Sequence, residues 1–445
     1  MKQFILLTFL LTSLSAKEFT FAQAWQKFQE KDFSLKQKEH ALSRTKNLKD
    51  ATSSLYLPSV SFNAEYAHLN DAVSFDIMRL KPISDLEPLL KDLGLSDAPF
   101  TTDISKEYIF TSTIDMKWAL FTGGRRGAIV DIAKFEVDEA TSLKGITKDK
   151  LFVELVELYY GVVMLESLEA TLGKIESSSL THYENTQKML EQGQVAKIEV
   201  LSSKVAFNNS KIARKRVSYS LKSAKNALNK ALKEIEVTPT SKMFVDRNFK
   251  TIDEYLNDTT NNSLAIKAIT ARQNQAKSNI TLKEGSYYPE VFAFGNKFLY
   301  KDDSVMMDLV PDWSVGVGLK VDILSMQGRS QRVQASRNLL LEASFLKAEL
   351  KEDLNILCEK VYNDLLSSYD SYEELEATEE LARENYKLRE EAFRNGLQTS
   401  NDVNDALTLI AEASTARLYS SYKFVKNLAM LLTLSGNLEN FKGLK

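Results

Sequence analysis

The stretch Gly396-Leu397-Gln398-Thr399-Ser400-Asn401-Asp402-Val403-Asn404-Asp405-Ala406 has an earlier echo in Gly193-Gln194-Val195-Ala196-Lys197-Ile198-Glu199-Val200. Each opens on glycine, carries an acid six positions later (Asp402, Glu199) and follows it with valine. Gly193 and Gly396 stand 203 positions apart, and so do Glu199 and Asp402. The same offset of 203 pairs Tyr159 with Tyr362, Tyr183 with Tyr386, Phe121 with Leu324 and Arg126 with Arg329. One spacing held this long without slippage marks an internal duplication, and a fold assigned without it would be wrong.

Each turn lies between two long helical patterns. Residues 125–192 and 329–395 contain no proline. Leu151, Leu155, Leu158, Val162, Leu165, Leu172 and Ile175 keep the four-three spacing of a coiled-coil seam. Nearly 70 residues at 1.5 Å each make roughly 100 Å of helix, more than a globular domain is thick. Glycine suits the left-handed conformation just past a helix end, so the chain should reverse at Gly193 and Gly396. Return helices are expected over 197–235 and 400–435. The second carries Val403, Leu407, Ile410, Phe424, Leu428 and Leu431 on one face, with the small Ser414 and Ser421 between.

Before each long helix the period changes from 3.6 to 2. In Ser59–Leu69, Val60, Phe62, Ala64, Tyr66 and His68 alternate with Ser61, Asn63, Glu65 and Ala67. In Glu107–Phe121, Tyr108, Phe110, Ile114, Met116, Trp118 and Leu120 alternate with Thr111, Thr113, Asp115 and Lys117. The second copy places Phe292, Phe294, Phe298 and Tyr300 on one side of Val291–Tyr300, and Trp313, Val315, Val317, Leu319, Val321 and Ile323 on one side of Trp313–Ile323. Four strands per chain result, in hairpins over 56–122 and 287–325. Their length, alternation and terminal aromatics suit an outer-membrane barrel; half of a soluble sandwich is the competing reading. Pro58 to Phe121 spans 63 positions and Pro289 to Leu324 only 35, so the first hairpin carries 28 more residues. This loop, 71–106, belongs on the extracellular side of a barrel, as a plug, a partner-binding loop or a plain surface loop. Gly123, Gly124 and Gly328 mark strand-to-helix bends. A phosphate loop would need Gly-Lys-Ser/Thr there, and neither junction has it.

Composition narrows the function. The 57 basic and 60 acidic residues leave a net charge of −3, so nothing draws nucleic acid. Cys358 is the one cysteine and there are three histidines, which leaves little for a metal site. His40, His68 and His182 bring no clustered partners, so no catalytic constellation and no cofactor are expected. Seven prolines and sixteen glycines favour long helices. Residues 1–16 read as a secretory signal peptide ending at Ala16, and no later run of 18 apolar residues offers a spanning helix. The first structural repeat then covers 17–236, opening on a polar helix. An equatorial linker follows over 237–262, with room only for a short helix near 251–256. The second repeat covers 263–436, and 437–445 is a tail.

Four strands cannot close a barrel, whose known minimum is about eight, and open edges in lipid cost several kcal/mol per unpaired group. The chain must therefore oligomerise, and the residues alone allow two or three copies. The leader, the duplicated strand–strand–helix–glycine–helix unit, the Phe121-Thr-Gly-Gly-Arg junction and the Gly396–Ala406 turn together resemble the TolC family of outer-membrane factors, over roughly 17–436. The resemblance implies a homotrimer whose twelve-stranded transmembrane β-barrel is continuous with a periplasmic α-helical coiled-coil tunnel. It implies an export duct in the outer-membrane lipid, serving a tripartite efflux pump or a type I secretion system. The partners would be a periplasmic adaptor (membrane fusion) protein and an inner-membrane RND or ABC transporter. It also implies that Asp402 and Asp405 form the periplasmic constriction, with tip contacts between helices at Glu199, Phe393 and Gln398. Phe393 and Gln398 depart from the tyrosine and arginine of the best-known member. A coiled-coil scaffold without a pore is the alternative; it accounts for the helices but not for the strands.

Overall fold

The computed structural model describes residues 17–76, 84–93, 101–323 and 328–444. The expected leader, the middle of the long loop, and Leu324 with its next three neighbours lie outside the described residues.

In chain order the principal elements are β1 (Lys17–Phe19), α1 (Phe21–Lys31), α2 (Phe33–Ala51), β2 (Ser59–His68), β3 (Ser74–Asp76), β4 (Thr101–Asp103) and β5 (Tyr108–Phe121). Next come α3 (Arg125–Glu191), α4 (Lys197–Leu232), β6 (Val237–Pro239), α5 (Ile252–Asn262) and α6 (Leu264–Glu284). Finally come β7 (Glu290–Tyr300), β8 (Trp313–Lys320), α7 (Arg329–Arg394) and α8 (Ser400–Leu434). The chain forms two compact units, and these cut across the repeats. One gathers the residues up to Arg44, Asp138–Ala271 and the residues from Ser344 on; the other gathers Thr45–Val137 and Arg272–Ala343. The reason lies in the sheet of the second unit. Its order is β2-β5-β7-β8, so hairpins from both repeats share one hydrogen-bond ladder.

The antiparallel register assigns the faces of that sheet, because directly opposed residues lie on one side. Val60 faces Met116, Phe62 faces Ile114 and Tyr66 faces Phe110. Trp118 faces Ala293, which faces Val317, while Val291 faces Leu319. This side is predominantly apolar, with Lys297, opposed by Ile114 and Trp313, its one lysine among these strands. The other carries Asp115, whose carboxylate accepts from Asn63 and Asn296 at 2.5 Å each and from Thr113 at 2.7 Å. It also carries Lys117, which faces Phe294. Phe292, Phe294 and Phe298 therefore share the polar side, together as their alternation grouped them. Tyr300 returns to the apolar side through a register shift between Ser112 and Thr113. Alternation fixes which residues share a face but not which face it is; only the neighbouring strand settles that.

The ends of the sheet repeat one device. Arg126 donates to the carbonyls of Leu55 (3.3 Å) and Leu120 (2.9 Å) and lies over the Tyr56 ring. Arg329, its counterpart, donates to the carbonyls of Ser286 (3.2 Å) and Asp322 and lies over the Tyr287 ring. Gly123 (φ +62°), Gly124 (φ +83°) and Gly328 (φ +60°) supply the left-handed backbone at these junctions. A Cβ on Gly123 would meet Gly285 O at 2.6 Å, so the bend also depends on close backbone approach. In the long loop β3 pairs with β4, the Met306 amide donates to Ile104 O at 2.8 Å, and Lys106 pairs with Asp302 at 3.2 Å.

The helical unit is cored by Phe21, Trp25 and Phe28 of α1, Phe152, Leu155 and Tyr159 of α3, Leu228 of α4, Leu365 of α7 and Phe424 of α8. Phe21, Phe152 and Phe441 meet pairwise at 5.2–5.5 Å between ring centres. The Tyr159 hydroxyl is a hub: it donates to Phe19 O at 2.7 Å and accepts from the amides of Thr240 (3.0 Å) and Ser241 (2.9 Å). It thereby clamps β1 and β6, which pair in parallel, Lys17 with Val237. Residues 17–19 are thus extended rather than part of the expected helix, which starts at Phe21 behind the Thr20–Gln23 capping box. The expected short helix of the linker runs Ile252–Asn262. Long and return helices are tied by a duplicated ion pair. Arg214 of α4 meets Glu176 of α3 at 3.1 Å, and Arg417 of α8 meets Glu379 of α7 at 3.3 Å. Both members of the second pair stand 203 positions beyond those of the first.

Candidate functional site at the paired glycine turns

Gly193 and Gly396 share φ +73°. Behind each, the same two backbone bonds close the helix. The Gly193 amide donates to Leu190 O (2.9 Å) and that of Gln194 to Met189 O (2.8 Å). In the second copy Gly396 donates to Phe393 O and Leu397 to Ala392 O, both at 2.9 Å. This is the Schellman pattern, and a side chain in that left-handed backbone costs about 1–2 kcal/mol.

Past the second turn, Thr399 and Asp402 cap α8 reciprocally. Thr399 Oγ1 accepts from the Asp402 amide at 3.4 Å, and Asp402 Oδ2 accepts from the Thr399 amide (2.9 Å) and hydroxyl (2.6 Å). Arg389 Nη1 donates to Asp402 Oδ1 at 3.4 Å. The Gln398 amide, oriented to satisfy both its polar atoms, donates to Oδ2 at 2.8 Å. Hydrogen bonds from the Thr399 hydroxyl, then from its amide, hold the Asp402 carboxyl below the usual carboxylate range. Asp405, three positions on, is exposed. The two acids expected to act alike thus stand in different environments.

Glu199 lies in the first turn of α4, and its Oε2 accepts the Ser400 amide at 2.6 Å. The Ser400 hydroxyl meets His182 Nε2 of α3 at 2.8 Å. The His182 ring packs edge-on to Phe393 of α7, 4.9 Å between centres. Ser400 of α8 thus joins α4 and α3 directly, and His182 extends the link to α7. Phe393, where the sequence departs from the tyrosine of the best-known member, is 3% exposed and packs as a hydrophobe. Ser202 bridges the return helices further, donating to Asn401 Oδ1 and accepting from Asn404 Nδ2 at 3.3 Å. Burial lowers the pKa of His182 to about 4, so the ring is neutral at ordinary pH. The interior here is hydroxyl-rich, with Ser179, Thr186, Ser203 and Ser400 buried. These hydroxyls stand beside the buried Phe393, Val403 and Leu407. Nothing in the sequence marked His182 or Ser400, since a lone histidine and a serine in a cap stretch carry no pattern.

An apolar-faced sheet with open edges, joined in sequence to paired helical hairpins, defines a subunit of a membrane channel. The profile of the outer membrane efflux protein family matches residues 24–233 and 255–437, and the chain belongs to that family. It is an export duct of the outer membrane, with its helical part in the periplasm. The family's channels are homotrimers, a helical tunnel with a β-barrel, and work with an adaptor and an inner-membrane transporter. Among solved structures the chain is similar to CusC (10% identity, TM-score 0.75, covering 94% of this chain and 92% of that one). It is also similar to the outer membrane protein VceC of Vibrio cholerae (13%, 0.74, 94% and 96%). A third is the Campylobacter jejuni CmeC outer membrane channel (11%, 0.73, 94% and 86%). At these identities the likeness shows the fold. Among curated proteins no sequence match was found. No helix of the described residues is long and apolar enough to cross a membrane.

Proposed function

We propose that the Gly193 and Gly396 turns form the closable periplasmic mouth of this duct, with Asp405 from three chains lining it and Asp402 holding the turn in shape. The observation that carries this reading is the contrast between the two acids. Asp402 is spent on Thr399, Arg389 and Gln398, whereas Asp405 is exposed. Three carboxylates around one axis concentrate cations and repel anions. The duct works passively, and its cargo is handed over by the adaptor and an RND or ABC transporter. The 71–106 loop faces the cell exterior, in keeping with the longer loops of such barrels.

Single-channel recording tests the reading. Multivalent cations added on the periplasmic side should block the wild-type channel, and Asp405→Asn should weaken the block while the trimer stays assembled. Unchanged block and selectivity in that variant would remove Asp405 from the mouth.

A further inference from the structure

The water side of the sheet holds an aromatic patch that the channel reading does not require. Asp115 and Lys117 identify that side, because the opposite one carries the large apolar side chains of β2, β5 and β8 and, apart from Lys297 beside Trp313 and Ser112 beside Tyr300, is the face suited to lipid. Phe294 is opposed by Gly316 and Phe292 by Gly318 across the β7–β8 pair. A Cβ on Gly316 would come within 2.7 Å of the Phe294 ring, and one on Gly318 within 2.4 Å of the Phe292 ring. Both phenyls therefore lie down over the backbone of β8, their centres 6.2 Å apart. Rings over strand glycines are a known way to steady such positions, which accounts for the placement but leaves their outer surface in water. Phe294 is 39% exposed. At the patch stands a cation: Lys117 Nζ lies 4.8 Å from the centre of the Phe292 ring.

We propose that Phe292, Phe294 and Lys117 form a binding station for planar aromatic anions, one per chain and three around the duct. This inference rests on the export-channel reading and adds to it a class of cargo that the wall itself favours. A flat ring stacks in offset fashion on a phenyl face, and the two phenyls, tilted 48° to each other, leave Phe294 open to such a partner. The sign of the preferred charge follows from hydrogen-bonding capacity. Asp115 already accepts from Asn63, Asn296 and Thr113. The Lys117 ammonium has three donors, and among the described residues no carboxylate lies within ion-pair distance of it. An anionic substituent on a stacked ring finds that free cation, while a cationic one finds a carboxylate largely committed. The station slows a passing molecule without trapping it, since the site is open on the water side.

The test uses the full-length protein in planar bilayers, with pyrenesulfonate as the probe in single-channel recordings. Wild type should show reversible blockades, longer than those with pyrenemethylammonium, and none with methanesulfonate. Loss of one ring in Phe294→Ala should shorten the blockade roughly two- to tenfold, the range of one aromatic contact. Lys117→Gln, which removes no packed apolar group, should shorten the sulfonate blockade and leave that of the ammonium probe unchanged. If Phe294→Ala fails to assemble, Phe294→Leu and Lys117→Gln carry the test. Blockades equal in wild type and variants, or longer for the cationic probe, overturn the inference alone. A chain that conducts no ions overturns the channel reading as well.

Discussion

Glu199 Oε2 accepts the backbone amide of Ser400 at 2.6 Å although the two residues stand 201 positions apart. An acid in the first turn of one return helix thus caps the start of the other. The two repeats are thereby tied together at their paired glycine turns. In Glu199→Ala that buried amide loses its acceptor, which should cost about 1–3 kcal/mol. Hydrogen exchange at Ser400 should accelerate correspondingly, while exchange around Tyr159 stays unchanged. Equal rates at Ser400 in both proteins would show that water takes over the bond.

His182 gives the same region a pH dependence. Its pKa falls from the ordinary 6.5 to about 4 because burial disfavours the charged ring. Glu390 opposes the shift and Arg394 adds to it, both from α7. A base whose folded pKa is lowered binds fewer protons folded than unfolded. Its stabilising share is therefore complete above pH 6.5 and is lost as pH falls from there towards 4. The full loss amounts to about 3 kcal/mol per chain. Thermal unfolding in detergent at pH 7.5 and pH 5 should show this slope in the wild type and a flatter one in His182→Gln.

Asp402 should behave as a cap rather than as a selectivity group. Asp402→Ala should destabilise the trimer by about 1 kcal/mol per chain, read as a lower Tm, with less effect on cation block than Asp405→Asn. The reverse order of effects on block would restore Asp402 to the mouth.

The Tyr159 hydroxyl serves two amides and one carbonyl. Tyr159→Phe keeps the packing of a fully buried ring but strands the Ser241 amide, whereas the Thr240 amide keeps its bond to Phe19 O at 3.0 Å. A loss of about 1–3 kcal/mol is expected, with proteolytic nicking near Ser241 as the local readout.

These particulars show what the residues alone could convey. The offset of 203 located both turns, because glycine at +73° is a local requirement that the backbone imposes wherever a helix must stop. The long helices were legible for the same reason: their period is local. The partner of Lys17–Phe19 was not, since three residues of strand have no measurable period and their mate lies some 220 residues on. Which face Phe292 and Phe294 occupy was not legible, because strand alternation has no sign until the neighbour is known, and the register shift that separates Tyr300 from them left no mark in the sequence. At the tip, Asp402 and Glu199 stood out as repeated acids. What they bond to depended on Ser400 and His182, whose roles arise from proximity alone.

The sheet of one chain ends in two unpaired edges, ten residues at β2 and eight at β8. Each edge is completed by a neighbour, so every chain holds half of two seams. A defect in either edge is then a defect of the ring rather than of the subunit. If intact and edge-damaged chains are made in equal amounts and mix freely, roughly one ring in eight is wholly intact. Such alleles should behave as genetically dominant, poisoning export in cells that still make the normal protein, whereas alleles that abolish synthesis should be recessive.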